Sequence, residues 1–172
     1  MKCIITGSKE GIGKAILDTL SNDYDVYCPD TRIEDLNLDF LSNNDLFINN
    51  AFSHQNQFRQ CELIYEAYNI APYHRQIVIG SMTSDYTKLK DKEPHMYSTA
   101  KLAVEAMSHQ MFTKGKKCTL IKPGYVNTKS AKHSKEPKLE TIDIADIIKY
   151  ILHIDDEIII KEISLKRFKS RY

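Results

Sequence analysis

Apolar positions along this chain fall into two alternating rhythms, short continuous runs and longer stretches at helical spacing. Lys2 to Thr6 is a short apolar run followed by a glycine-rich turn, and the next segment sets Ile12, Ile16, Leu17 and Leu20 at the spacing of a helix. Asp25 to Cys28 predicts a second strand, stopped by Pro29, and Leu36 to Phe40 and Asp45 to Ile48 predict a third and a fourth. A helix is predicted over Phe58 to Tyr68 and a fifth strand over Gln76 to Gly80. Tyr97 to Phe112 predicts a further helix, with Ala100, Val104, Met107 and Met111 on one side. Cys118 to Ile121 is a sixth strand ended by Pro123-Gly124, Ile142 to Leu152 a helix, and Glu157 to Ile163 a last strand.

Strands alternating with helices imply right-handed crossovers and a parallel sheet covered on both faces. The expectation is an α/β fold of the Rossmann type, one domain over residues 1–172 with a parallel sheet of about seven strands. Two links are unusually brief: Thr31 to Asp35 between strands two and three, and Leu41 to Asn44 between three and four. A parallel crossover needs about a dozen residues, so either the helices there are reduced to single turns or one of the strands is not a strand. The reduced-helix version is the expectation taken forward. It would leave apolar sheet surface bare unless a second subunit or the tail covers it, which predicts a homo-oligomer using the Phe58 to Tyr68 and Tyr97 to Phe112 helices.

Composition adds mainly exclusions. The 172 residues, 42% of them hydrophobic, suffice for one well-buried core. Charge is balanced, with 24 Lys+Arg against 23 Asp+Glu, so no global field argues for nucleic acid. Only the tail Lys166-Arg167-Phe168-Lys169-Ser170-Arg171 is locally basic, and a solvated end accounts for it. The four cysteines form no C-x-x-C pair and read as core residues kept reduced in a cytoplasm. The six histidines show no ligand spacing, so no metal is expected. No apolar run reaches the roughly 20 residues that span a bilayer, and a strand at the very start leaves no signal peptide to expect.

Candidate chemistry sits in two motifs. Thr6-Gly7-Ser8-Lys9-Glu10-Gly11-Ile12-Gly13 lies between the first strand and its helix. Glycines there allow a tight turn, let backbone N–H groups approach a pyrophosphate, and permit close packing, while the helix N-terminus favours the anion. The second is Tyr97-Ser98-Thr99-Ala100-Lys101. Residues four apart share a helix face, so the phenol and the ammonium can enter one cleft. A nearby cation lowers the pKa of a phenol from near 10, as acid–base exchange between an alcohol and a carbonyl near neutral pH requires.

Together these residues resemble the short-chain dehydrogenase/reductase family over nearly the whole chain. Five segments stand in that family's order: the T-G-x-x-x-G-I-G turn, Asn49-Asn50-Ala51, Ile79-Gly80-Ser81, the Tyr97/Lys101 pair, and Pro123-Gly124-Tyr125-Val126-Asn127-Thr128. The resemblance implies Tyr97 as catalytic acid–base and Lys101 as the lysine that binds the nicotinamide ribose and depresses the tyrosine pKa. It implies Ser81 as the serine that holds the substrate oxygen, with Ser84 as rival. The family's asparagine would be Asn56, with Asn69 as the alternative, holding a water that links Lys101 to solvent. Cofactor contacts are implied for Gly7, Ser8, Lys9, Gly11, Ile12, Gly13, Asp30, Asp39, Asn50, Ala51, Tyr97, Lys101, Pro123, Gly124, Val126 and Thr128. The chain departs from the pattern at Phe52, where the family usually has glycine.

The implied reaction is hydride transfer between a nicotinamide cofactor and a carbonyl or alcohol carbon of a small molecule. Asp30 after the second strand would bind ribose hydroxyls and repel a 2′-phosphate, and Glu10 adds a second negative charge, so NAD is expected over NADP. Lys9 and Arg32 stand against this as cations that could pair with a phosphate. The polar segment Lys129 to Glu140, where the family builds its substrate lid, fits a small or anionic substrate or an open loop. Rival readings are a regulatory protein that binds the cofactor without turnover and a structural partner subunit. A sugar epimerase also uses Y-x-x-x-K, yet normally carries an appended substrate domain. The expected setting is the cytoplasm, without nucleic acid or membrane.

Overall fold

A computed structural model describes residues 2–88 and 95–168. Lys169, Ser170 and Arg171 of the basic tail lie outside the described residues. The chain runs β1 (Lys2–Ile5), α1 (Gly11–Leu20), β2 (Asp25–Tyr27), β3 (Leu46–Asn49), α2 (Arg59–Ile70) and β4 (Arg75–Ile79), then α3 (Met96–Thr113), β5 (Cys118–Pro123), α4 (Thr141–Leu152) and β6 (Glu162–Leu165). The strands form one fully parallel sheet in the order β2-β1-β3-β4-β5-β6.

Each predicted helix is present within a few residues, because apolar spacing and burial agree. On one face α1 and α4 lay Ile16, Leu20, Ile144, Ile148 and Ile151 on Ile5, Ile48, Ile77 and Ile121 of the sheet. On the other, Leu63 and Ala67 of α2 cover Ile4 and Phe47, and Ile64, Tyr68 and Val104 cover Val78 and Leu120. Strands β1, β3, β4 and β5 are therefore covered on both sides and are buried along nearly their whole length. Strand β6 begins at Glu162, paired to Leu120, so the predicted last strand from Glu157 starts too early. The residues before it are still leaving a turn closed by the Ile158 amide on the Asp155 carbonyl at 2.9 Å.

The predicted third strand is not a strand. Among the described residues the sheet has six strands, and the segment after β2 forms a single tight turn, Ile33–Asp35, followed by a strap. In the strap Leu36, Leu38 and Leu41 are buried against Ile4, Phe47 and Leu63, while Asn37 and Asp39 point outward. The Asp39 amide donates to Asn37 Oδ1 at 2.8 Å, and the Leu41 amide donates to the Leu38 carbonyl at 2.8 Å. Arg59 fastens the strap to α2, donating to the carbonyls of Leu36 at 2.9 Å and Ile33 at 3.2 Å. An in–out alternation that predicted a pleated strand is thus satisfied by a strap lying over the sheet. The two short links are one connection from β2 to β3, with its helix reduced to a turn. The strap also covers the apolar surface expected to be bare, so that surface gives no reason for a second subunit.

Candidate active site

Strands β1 and β3 are neighbours, but the chain leaves β1 for the sheet edge at β2 and returns to β3. The reversal opens a crevice at the C-terminal ends of the strands, where open α/β sheets bind ligands. The glycine-rich turn lies there. Gly7 and Gly11 take positive φ of 69° and 59°, which only glycine adopts without strain. A Cβ on Gly13 would stand 2.1 Å from the Gly7 carbonyl oxygen, so the third glycine lets the helix pack on its own turn. Asn50 braces that turn, its Nδ2 donating to the carbonyls of Thr6 at 3.0 Å and Gly7 at 3.2 Å. Thr6 Oγ1 accepts from the amides of Asn50 and Ala51, each at 3.0 Å. At the head of α1, Glu10 offers no side-chain cap, which leaves the first-turn N–H groups available to an anion.

These elements border a cleft of about 1150 Å³. Gly7, Ser8, Lys9, Gly11, Ile12, Asp30, Asn50, Ala51 and Thr128 line it, as does Phe52. Two ion pairs stand on its rim. Lys9 meets Asp30 at 2.5 Å, which holds the Asp30 carboxyl below its ordinary range. Glu10 pairs across the cleft with Lys129, which stands in a short turn after β5 and whose ammonium is pushed above its ordinary value.

Beyond Phe52 lies a second, buried group on α3. Lys101 is only 3% exposed, and its Nζ donates to Gln60 Oε1 at 2.7 Å and the Ile79 carbonyl at 3.1 Å. Burial pulls its pKa down to about 7. Tyr97, one turn earlier, is half-buried; desolvation raises its phenol, and a hydrogen bond with Ser81 draws it partly back. The Lys101 ammonium lies 5.8 Å from the Tyr97 ring centre and 5.2 Å from that of Phe52. The Phe52 and Tyr97 rings meet edge-to-face at 4.8 Å.

The structure thus brings Ser81, Tyr97 and Lys101 together, and it separates the two serines. Ser84 Oγ donates to Glu105 Oε2 at 2.6 Å and to the Ser81 carbonyl at 2.9 Å, away from the phenol. Asn56 stands before α2, its amide on Ser53 Oγ at 2.9 Å and its carbonyl accepting from Arg59. The hydrogen-bond partners of Lys101 are Gln60 and the Ile79 carbonyl; among the described residues neither Asn56 nor Asn69, near the end of α2, bonds to it directly. Asp39 is on the outer side of the strap and does not line the cleft. Val126 belongs to the core; Pro123 ends β5, and the amide of Gly124 just after it donates to the Leu165 carbonyl at 2.7 Å.

Gln60 is the residue that sequence reasoning missed. It occupies a buried position in the stripe Gln60, Leu63, Ile64, Ala67, and a polar residue in an apolar stripe was the available signal. Its Nε2 donates to the carbonyls of Asn49 at 2.9 Å and Ile79 at 3.0 Å, while Asn49 Nδ2 donates back to the Gln60 carbonyl at 3.0 Å. Further along α3, Glu105 and His109 meet Glu162 with ligand-type atoms within 4.8 Å of one another. The cation among them is the Lys122 ammonium, 2.8 Å from both Glu105 and Asp85.

No helix among the described residues is long and apolar enough to cross a membrane. No family profile and no curated protein sequence matches the chain. Solved structures do. A short-chain dehydrogenase from Burkholderia cenocepacia in complex with NADP superposes with a TM-score of 0.73 at 14% identity, over 96% of this chain and 88% of that one. An alcohol dehydrogenase from the archaeon Thermococcus sibiricus complexed with 5-hydroxy-NADP gives 0.71 at 17% identity, covering 98% and 99%. A 3-alpha-hydroxysteroid dehydrogenase from a Pseudomonas species complexed with NADH gives 0.67 at 16%, covering 96% and 97%. At such identities it is the architecture that is shared: the chain is built on the fold of the short-chain dehydrogenases.

Proposed function

We propose that this protein is a nicotinamide-dependent oxidoreductase of the short-chain dehydrogenase/reductase family, acting on a small carbonyl or alcohol substrate. The observation that carries the reading is the meeting of Ser81, Tyr97 and Lys101 at the strand ends, directly behind a glycine-walled cleft. The fit to a dinucleotide is structural. Gly7 and Gly11 take the positive φ that brings backbone close to a ligand, and the α1 N-terminus carries no side-chain cap. Gly7, Ser8, Gly11 and Ile12 would hold the pyrophosphate, Asp30 the adenosine ribose, and Thr128 the carboxamide end. When bound, the nicotinamide would supply or accept the hydride.

The chain's own residues handle the proton. Tyr97 gives its phenolic proton to the substrate oxygen, or takes one in the reverse direction, while Ser81 hydrogen-bonds the same oxygen as charge develops on it. Lys101 in its ammonium form stabilises the phenolate left behind. Gln60 and the Ile79 carbonyl orient that ammonium. The rim carboxylates Asp30 and Glu10 favour NAD over NADP, and the solved neighbours include proteins bound to each kind. We place the enzyme in the cytoplasm, where its four free cysteines stay reduced. We also read it as a homo-oligomer, for which the exposed Phe58 and Tyr65 beside α2 offer contact area.

The test is oxidation of NADH and NADPH against a panel of aldehydes and ketones, with the reverse assay on alcohols. Turnover that disappears in Tyr97→Phe supports the proposal. Binding of the dinucleotide with no turnover on any substrate would favour the regulatory reading, which the cover over Lys101 recommends.

A further inference from the structure

The cleft and the Tyr97/Lys101 pair are adjacent but not continuous. Phe52 lines the cleft, whereas Tyr97 and Lys101 do not. The ring stands edge-to-face on Tyr97 at 4.8 Å and its centre is 5.2 Å from the Lys101 ammonium, and the lysine behind it is almost fully buried. Phe52 thus stands at the boundary between the cleft and the buried amine. We infer that the Phe52 side chain is a gate, and that it must swing off Lys101 before a dinucleotide ribose can reach the amine.

The backbone says what kind of gate this is. On one side of Phe52 the Ala51 amide is held by Thr6 Oγ1 at 3.0 Å. On the other, Ser53 Oγ binds Glu34 and accepts from the amides of Gln55 at 3.0 Å and Asn56 at 2.9 Å. With both flanks pinned, opening is a rotation of one side chain between rotamers, not a movement of the loop. Closing has an electrostatic consequence. In this arrangement Lys101 is almost fully buried, and dehydration disfavours the ammonium that a proton-transfer site needs. A closed population also taxes binding, because only the open fraction accepts ligand.

This inference rests on the dinucleotide reading, and two measurements keep them apart. The first needs no cofactor: reductive methylation of the apo protein with formaldehyde and a borane, quantified by mass spectrometry on the peptide carrying Lys101. The second is the association rate of NADH and NADPH by stopped-flow fluorescence. Phe52→Ala is expected to raise both the Lys101 modification rate and the association rate by about tenfold as the closed state is removed. Phe52→Leu, which keeps an apolar side chain over the lysine, should fall between and serves if the alanine variant folds poorly. Unchanged modification and unchanged association in both variants would overturn the gate. Faster modification with no dinucleotide binding in any of the proteins would instead overturn the dinucleotide reading, leaving a gate with nothing to admit.

Discussion

On the rim of the cleft, Lys9 and Asp30 pair at 2.5 Å with both side chains more than four-fifths exposed, whereas Lys101, a short way inside, is 3% exposed and faces neutral acceptors. The outer half is made of backbone, glycine turns and hydrated ion pairs, which solvent screening leaves weak. The inner half is a desolvated tyrosine and lysine whose protonation depends on a few close groups. The contrast implies a division of labour: substitutions on the rim should tune which ligand binds, and those inside should decide whether anything reacts.

The largest expected effect is at Tyr97. Tyr97→Phe removes the proton donor while keeping the ring contact with Phe52, so turnover should fall by at least about 100-fold. The dissociation constant for the dinucleotide should change by less than about threefold, since in the proposed mechanism the lost hydroxyl serves the substrate and not the cofactor. Steady-state kinetics with fluorescence titration checks both. Equal losses in turnover and binding would show that the two halves are not separate.

Next comes Gln60, the hinge of the inner half. Gln60→Leu removes one of the two acceptors of the Lys101 amine and the Nε2 donor to the carbonyls of Asn49 and Ile79, and should destabilise the fold by about 1–3 kcal/mol. It also withdraws an acceptor from the ammonium, which should move the Lys101 titration further below 7. Gln60→Glu places a carboxylate at 2.7 Å and should move it upward. The pH dependence of kcat distinguishes the two, because a residue with only a packing role would shift neither limb. Opposite shifts in the two variants are the expected signature.

Lys101 also links protonation to stability. Its pKa falls from 10.5 to about 7 in the fold, so between those values the unfolded chain binds the proton and the native protein does not. Stability therefore gains from this residue as pH rises from 7 toward 10.5, and the gain is absent below pH 7. Raised thiol and phenol values at Cys3, Cys118 and Tyr97 oppose it at the alkaline end. The clean comparison is the urea midpoint at pH 7 and pH 9 in wild type and Lys101→Met. The wild type should gain more over that interval; parallel behaviour would mean that Lys101 is charged inside the fold.

The same contrast explains what was legible in the sequence. The rim is written locally: a glycine turn between a strand and a helix has one geometry, and Tyr97 and Lys101 share a helix face by spacing alone. Lys101 was legible as a residue but its surroundings were not, because Gln60 reaches it from a helix 41 positions away. Phe52 was visible as a departure from glycine, yet its place over Lys101 depends on how Thr6 and Glu34 pin its neighbours. The strap was misread for a different reason. Leu36 and Leu38 alternate with Asn37 and Asp39 as in a strand, and only the neighbouring Arg59 and the turn at Asn37 turn that pattern into a cover.

The smallest predicted effect, and the sharpest test of the rim, is at Asp30. In the structure its carboxylate is engaged by Lys9, so its repulsion of a 2′-phosphate is partly cancelled before a ligand arrives. Asp30→Ala removes the carboxylate proposed to accept from ribose hydroxyls and frees Lys9 for a phosphate, with Arg32 lining the same cleft. Both changes disfavour NADH and favour NADPH. All these groups are hydrated, so the ratio of the two dissociation constants should move by only about two- to fivefold. The shift should shrink in high salt, where the Debye length falls to about 3 Å at 1 M. Lys9→Ala should act the other way, leaving Asp30 unneutralised and widening the preference for NADH. If both variants move the ratio in one direction, the carboxylate is not what selects the cofactor, and the choice lies in the backbone of the glycine turn.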